Sequence, residues 1–162
     1  MEELQDNNMA KLEIEDFKAF RELEGKPLPE GNWIIVTQEM INDFAKATGD
    51  HQWIHVDVEK ANKYSPFKKP VAHGFLSVSL LSKMLEDLIM VKSAKMGVNY
   101  GLNKVRFPSP VLVDSRLRLI GNIDNIEDYG DSGLKVIWNC TVEIKGSEKP
   151  ACVAEFISLM FS

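Results

Sequence analysis

The pattern that most limits what this chain can fold into is one strongly apolar helical stretch followed by a long run of strand-like sequence. From residue 74 to about 90 the chain carries Phe75, Leu76, Val78, Leu80, Leu81, Met84 and Leu85, interrupted mainly by Ser77, Ser79 and Ser82. A helix apolar on nearly all sides belongs in a protein interior, and its small serines let neighbours approach closely. Beyond it, residues 96–107, 115–126, 134–144 and 151–161 have strand character. Alternation is cleanest from Lys135-Val136-Ile137-Trp138 through Cys140, Val142 and Ile144. The turn signals Pro108-Ser109-Pro110, Tyr129-Gly130-Asp131-Ser132-Gly133 and Lys145-Gly146-Ser147 separate these runs. Long strands joined by short turns imply an antiparallel sheet, so the class is α+β. The simplest packing wraps that sheet around the buried helix.

The first half of the chain reads as short helices and loops. Leu12, Phe17, Phe20 and Leu23 recur at helical spacing, predicting a helix over residues 9–23. Gly25, Pro27, Pro29 and Gly31 then break the chain, and Trp33-Ile34-Ile35-Val36 is a short strand-like run. Thr37 is a suitable cap for a helix from residue 38 to about 47, which Gly49 terminates. After a polar, histidine-rich connection, Asp57 caps a further helix over residues 58–64. No repeat or long linker interrupts the sequence, which predicts one domain over residues 1–162, with 1–30 as an N-terminal helix and loop.

With 162 residues, of which 44% are hydrophobic and 27% charged, the chain has enough apolar material for a substantial core, and disorder is excluded. A net charge of −5 argues against a general nucleic-acid binder, which needs a basic face for phosphates. Cys140 and Cys152 are too few for a disulfide framework and predict two reduced thiols packed as small apolar groups. No run approaches the roughly 20 apolar residues that span a bilayer. The start, residues 1–8, is acidic and polar, unlike a secretory signal. A cytoplasmic protein without membrane association is the expectation.

All three histidines, His51, His55 and His73, cluster with Asp50 and Asp57. The local string is Ala47-Thr48-Gly49-Asp50-His51-Gln52-Trp53-Ile54-His55-Val56-Asp57. Asp50 follows a helix-ending glycine and His55 lies across an irregular turn, so a carboxylate and an imidazole are able to converge. Such a pair holds a water molecule, takes its proton and supplies one to an adjacent carbon. That is the requirement for adding water reversibly to an activated double bond. The neighbouring carbonyl gains negative charge and needs preorganised donors, which backbone N–H groups near Gly74 at a helix start provide. Zinc ligation by His51, His55 and Asp50 or Asp57 is the competing reading of the cluster. It lacks the Glu of the metalloprotease pattern, and Gly49 disfavours a continuous helix carrying both histidines. Taken singly, Asp50 reads more readily as a turn or cap carboxylate, and His55 equally well as a core histidine satisfied by a backbone group.

The string around Asp50 and His55 resembles the signature of the MaoC-like, or (R)-specific enoyl-CoA hydratase, family. Phe44, Gly49-Asp50, His55 and Ala61 carry that likeness, and Pro70-Val71-Ala72-His73-Gly74-Phe75-Leu76 resembles the family's entry into its central helix. Asn99 to Phe107 with Pro108 and Pro110 is similar to the branch containing nodulation protein N-like hydratases. The resemblance implies a hot-dog fold, with the helix from Gly74 as the sausage and an antiparallel sheet as the bun. It implies Asp50 and His55 as a catalytic dyad, Gly74 as backbone donor to a thioester oxygen, and Ser82 as a polar residue supporting the site. His51 falls at a variable position and is expected to face solvent, whereas His73 is expected to be a cap or a wall of the site. Many members have Asn-Pro where this chain has Gln52-Trp53, and Trp53 is a candidate for reshaping the acyl pocket.

The activity so implied is hydration of a trans-2-enoyl thioester to an (R)-3-hydroxyacyl thioester, with no cofactor and no metal, coenzyme A being part of the substrate. Lys68, Lys69, Lys104 and Arg106 are candidate contacts for its phosphates. The alternatives on the same fold are an acyl-CoA thioesterase and a module that binds acyl thioesters without turnover. A homodimer is expected in each case, because a small wrapped sheet leaves an edge unpaired.

Overall fold

The computed structural model describes residues 10–162. Its centre is a five-stranded antiparallel sheet built from β2 (Ile34–Ile35), β5 (Arg116–Tyr129), β6 (Gly133–Ile144), β7 (Cys152–Phe161) and β4 (Met96–Arg106), in the order β2-β5-β6-β7-β4. The three central strands lie as the alternation predicts. Leu134, Val136, Trp138, Cys140 and Val142 of β6 are all buried, and each faces the concave side with Leu117, Leu119 and Ile123 of β5. Register shifts at Ile123/Asn125 in β5, and at Asn99/Gly101 and Leu102/Lys104 in β4, insert bulges. Bulges bend strands and increase twist, which lets a sheet curl around a helix.

The helix in that curl is α5 (Gly74–Ser79) continued by α6 (Leu81–Leu88). The two segments join at Leu80, which keeps right-handed helical dihedrals, and α5 packs on β7 while α6 packs on β5. Leu76, Leu81, Met84, Leu85 and Leu88 are buried against the sheet. This is the hot-dog architecture, in the α+β class. One difference from the sequence expectation is the end of the helix. It stops at Leu88, and Ile89–Val91 form strand β3 rather than a last helical turn.

A second correction concerns the N-terminus. The helix expected over residues 9–23 begins at a position outside the described residues. Within them, Leu12–Ile14 is a strand, β1, pairing parallel with β3, and only Phe17–Arg21 is helical, as α1. Leu12-Glu13-Ile14 also alternates, and pairing with a strand far away in sequence satisfies its backbone, so tertiary context overrides local period. Phe20 at the end of α1 is fully buried, its ring 5.9 Å from that of Trp138.

Short elements between β2 and α5 form an overhang: α2 (Gln38–Thr48), α3 (Trp53–Val56) and α4 (Val58–Tyr64). The predicted caps are in place. Thr37 Oγ1 accepts from Met40 N–H at 3.2 Å, and Asp57 Oδ1 accepts from Lys60 N–H at 2.9 Å. Gly49 ends α2 with φ +79°, a left-handed conformation that glycine adopts without strain. Both cysteines are unpaired and buried, and burial pushes the Cys140 thiol up to about 12 and that of Cys152 to about 11, so both stay protonated. No helix among the described residues is long and apolar enough to cross a membrane.

Candidate functional site

The site is assembled where the overhang meets the start of α5. The extended segment before Gly74 runs between α3 and residues 111–113. Val71 N–H donates to Ile54 O at 3.0 Å, Ala72 N–H to Val111 O at 2.8 Å, and Val113 N–H to Pro70 O at 2.9 Å. The carbonyl of Val71 receives the Nδ1–H of His55 at 2.6 Å. That bond fixes the tautomer of His55 and leaves Nε2 as its free acceptor. Gln38 at the head of α2 donates to the His55 carbonyl at 2.8 Å, so the main chain of His55 is held as well as its ring.

His55 is buried, and this burial holds its pKa below the ordinary 6.5, with His73 acting in the same direction and the Val71 carbonyl and Asp50 opposing. The ring is therefore neutral at neutral pH and presents a lone pair. Asp50, directly after α2, has a carboxylate that is 56% exposed. One of its oxygens and one ring nitrogen from each of His55 and His73 lie within 4.8 Å of one another. Two groups bonded to one water stand about 4.6 Å apart at ordinary hydrogen-bond lengths and angles. A limit of 4.8 Å leaves room for a shared water between them.

The ring of His73 stacks on that of His55 with centroids 3.8 Å apart and planes 24° from parallel. His73 is not a cap through its side chain, although it occupies the N-cap position of α5. Its Nε2–H instead donates to the Asp50 carbonyl at 2.9 Å. The sequence signal for this role was only the clustering of three histidines. Among the described residues, Asp50, His55 and His73 form a grouping that could hold a metal ion, and it differs from the zinc set read from the sequence, which included His51. His51 is exposed and lies outside α3, so it does not share a helix face with His55. Two of the four ring nitrogens in the triplet are spent as donors to main-chain carbonyls.

Gly74 opens α5, where its N–H has no intrahelical partner. A Cβ added there would stand 2.8 Å from Cδ2 of Phe107, so the absence of a side chain lets the Phe107 ring approach the helix start closely. Phe107 was not singled out from sequence. Ser82 lies eight positions further along the helix, about 12 Å at 1.5 Å per residue. Its hydroxyl donates to Asn99 Oδ1 of β4 at 3.0 Å, and it lines a cavity of about 420 Å³ with Leu85, Ile89, Trp138 and Phe156. That cavity is not lined by Asp50, His55 or Gly74. Lys68, Lys69, Lys104 and Arg106 are all exposed. Lys68 and Lys69 sit in the loop after α4, and Lys104 and Arg106 on β4. Trp53 faces α4, where the Lys60 ammonium lies 5.0 Å from its ring centroid.

The chain is similar to several known proteins. The family described as MaoC like domain matches residues 19–141. Over 133 residues the chain is 48% identical to a Mycobacterium tuberculosis protein named 3-hydroxyacyl-thioester dehydratase Z, covering 82% of this chain and 87% of that one. It is 42% identical over 137 residues to nodulation protein N of Rhizobium leguminosarum bv. viciae, covering 84% and 85%. A solved structure described as a monoamine oxidase regulatory protein from Archaeoglobus fulgius matches with a TM-score of 0.73 at 25% identity, covering 95% of this chain and 99% of that one. A family match over most of the chain, a relative near half identical and a shared fold converge on one conclusion: the chain belongs to the MaoC-like dehydratase family of hydro-lyases.

Proposed function

We propose that this protein adds water to a trans-2-enoyl thioester to give an (R)-3-hydroxyacyl thioester, with Asp50 and His55 as the reacting pair. The observation that carries this reading is the convergence of the Asp50 carboxylate with a neutral His55 whose proton is committed to Val71. Water held between them attacks C3 of the substrate, its proton passes to the pair, and the pair returns a proton to C2. The base role is assigned to the pair rather than to one member. Negative charge growing on the thioester oxygen meets the free N–H of Gly74. Handedness follows the family resemblance. The relative named for a 3-hydroxyacyl thioester supports the substrate class. No cofactor takes part; coenzyme A enters as part of the substrate, with Lys68, Lys69, Lys104 and Arg106 assigned to its phosphates and Ser82 to the polar support of the substrate site.

The protein works as a cytoplasmic homodimer in this reading. β4 is an edge strand of the sheet, and its apolar side chains Met96, Val98, Tyr100 and Leu102 are between 40% and 56% exposed. A long exposed apolar edge is a surface that pairs with another chain, and a second copy supplies a matching one. Light scattering at twice the monomer mass is the expected result.

The test is turnover of crotonyl-CoA and a chain-length series of enoyl-CoAs, followed by loss of enoyl absorbance, free thiol and the chirality of the product. The expected result is absorbance loss without thiol release and an (R) product. Asp50→Asn and His55→Gln are each expected to lower kcat by about 10²- to 10⁴-fold with an unchanged melting temperature. Near-normal rates in both variants reject the pair. Thiol release instead marks a thioesterase, and affinity without turnover marks a binding module.

A further inference from the structure

We propose that His73 is a positioning residue that sets the separation and mutual orientation of Asp50 and His55, an inference that rests on the hydratase reading above. Its ring is 3% exposed and lies between two others, stacked on His55 at 3.8 Å and tilted against Phe44 at 5.0 Å. One face of the ring therefore defines where the His55 imidazole lies. Its Nε2–H bond at 2.9 Å to the Asp50 carbonyl defines where the main chain carrying the carboxylate lies. The carboxylate itself is not the target, since Asp50 Oδ2 is 3.9 Å from the same nitrogen, beyond hydrogen-bond reach.

The residue choice argues for this role over simple space filling. The Nε2 bond leaves Nδ1 as a bare lone pair, which is buried and has no hydrogen-bond partner. A buried acceptor left unpaired is costly, so a position needing only bulk would be occupied by an apolar side chain. Histidine alone combines a flat ring for the stack with a donor at that reach. A phenylalanine keeps the ring and loses the donor; a glutamine keeps a donor and loses the stack.

His73 also belongs to a short segment that sets every part of the site. The Val71 carbonyl fixes the tautomer of His55, His73 fixes Asp50 and the plane of His55, and Gly74 follows directly with its free N–H. Residues 71–74 thus act as one gauge whose spacing is set by the backbone. Displacement by about 1 Å in such a site costs on the order of 10²-fold in rate.

Two experiments on the full-length protein decide the matter. The first is ¹⁵N NMR of the histidine rings at neutral pH, independent of turnover. His73 protonated at Nε2 and bare at Nδ1 is expected; a proton on Nδ1, or on both nitrogens, overturns the proposal. The second compares His73→Phe and His73→Gln with the parent. Each is expected to lower kcat by about 10- to 100-fold with KM within about twofold. In an Asp50→Asn background the same changes should cost less than about threefold, because the partner they act through is already disabled. An equal loss in both backgrounds, or a fallen melting temperature with unchanged kcat, assigns His73 to packing and rejects positioning. If the parent hydrates no enoyl thioester, the hydratase reading fails, while the ring-nitrogen result still decides the arrangement.

Discussion

The β5–β6–β7 ladder and the segment from Asp50 to Gly74 are held by different forces. In the ladder, each strand is paired residue by residue along its length, and buried side chains of one face share a common core. The stabilisation is redundant, and its currency is apolar area removed from water. The site segment has little such redundancy. Its geometry depends on individual bonds: His55 to Val71, Gln38 to His55, and His73 to Asp50. A region built on area tolerates local change in geometry and loses stability, whereas one built on single bonds loses function first. The difference fits the proposed placement of the chemistry on the overhang: the sheet supplies rigidity, and short elements with polar links supply a place where buried imidazoles and an open carboxylate coexist.

Breaking the ladder should give the largest effect on stability. Leu119 is 1% exposed, and Leu119→Ala is expected to cost about 3 kcal/mol in urea unfolding, within the range for buried leucines. Rate per folded molecule should be unchanged; a parallel fall would mean that the two regions are not separable. A smaller effect, confined to the site, comes from Gly74→Ala. The new methyl must displace Phe107, and about a tenfold loss of kcat is expected with little change in melting temperature. Adding Phe107→Ala to the same chain makes room and should restore part of the rate.

The smallest effect sharpens the comparison through pH. Burial, then His73, holds His55 below 6.5 in the folded protein, whereas the unfolded chain titrates near that value; the Val71 carbonyl and Asp50 act against the shift. Between the two values the unfolded state binds a proton that the folded state refuses, so stability is fully present above about pH 6.5 and declines as pH falls below it. Turnover should persist below 6.5 and fall only when His55 itself takes up a proton. Melting temperature and kcat/KM measured across that window check both statements, and activity that titrates above 6.5 would contradict them.

Much of the fold was legible because it is periodic. β6 reads directly from alternation, Thr37 and Asp57 cap the helices that follow them, and Gly49 ends α2. The strand β1 was not legible, since three residues carry too little period to outweigh helical spacing, and its partner β3 lies at the far end of the chain's central helix. For the site, Asp50 and His55 stand out as scarce titratable residues in one short string. The importance of the Val71 carbonyl and of Phe107 against Gly74 has no signature in residue type, because any residue offers a carbonyl and aromatic side chains are common in cores.

By itself, then, the sequence determined which elements form and which ionisable groups are near one another along the chain, since both follow from local period, caps and turns. Tertiary structure alone decided which nitrogen of His55 is free, which face His73 covers, and that Ser82 turns to Asn99 rather than to the helix start. Those outcomes depend on contacts between elements remote in sequence. Only the closed sheet and the docked overhang bring such partners to hydrogen-bond distance.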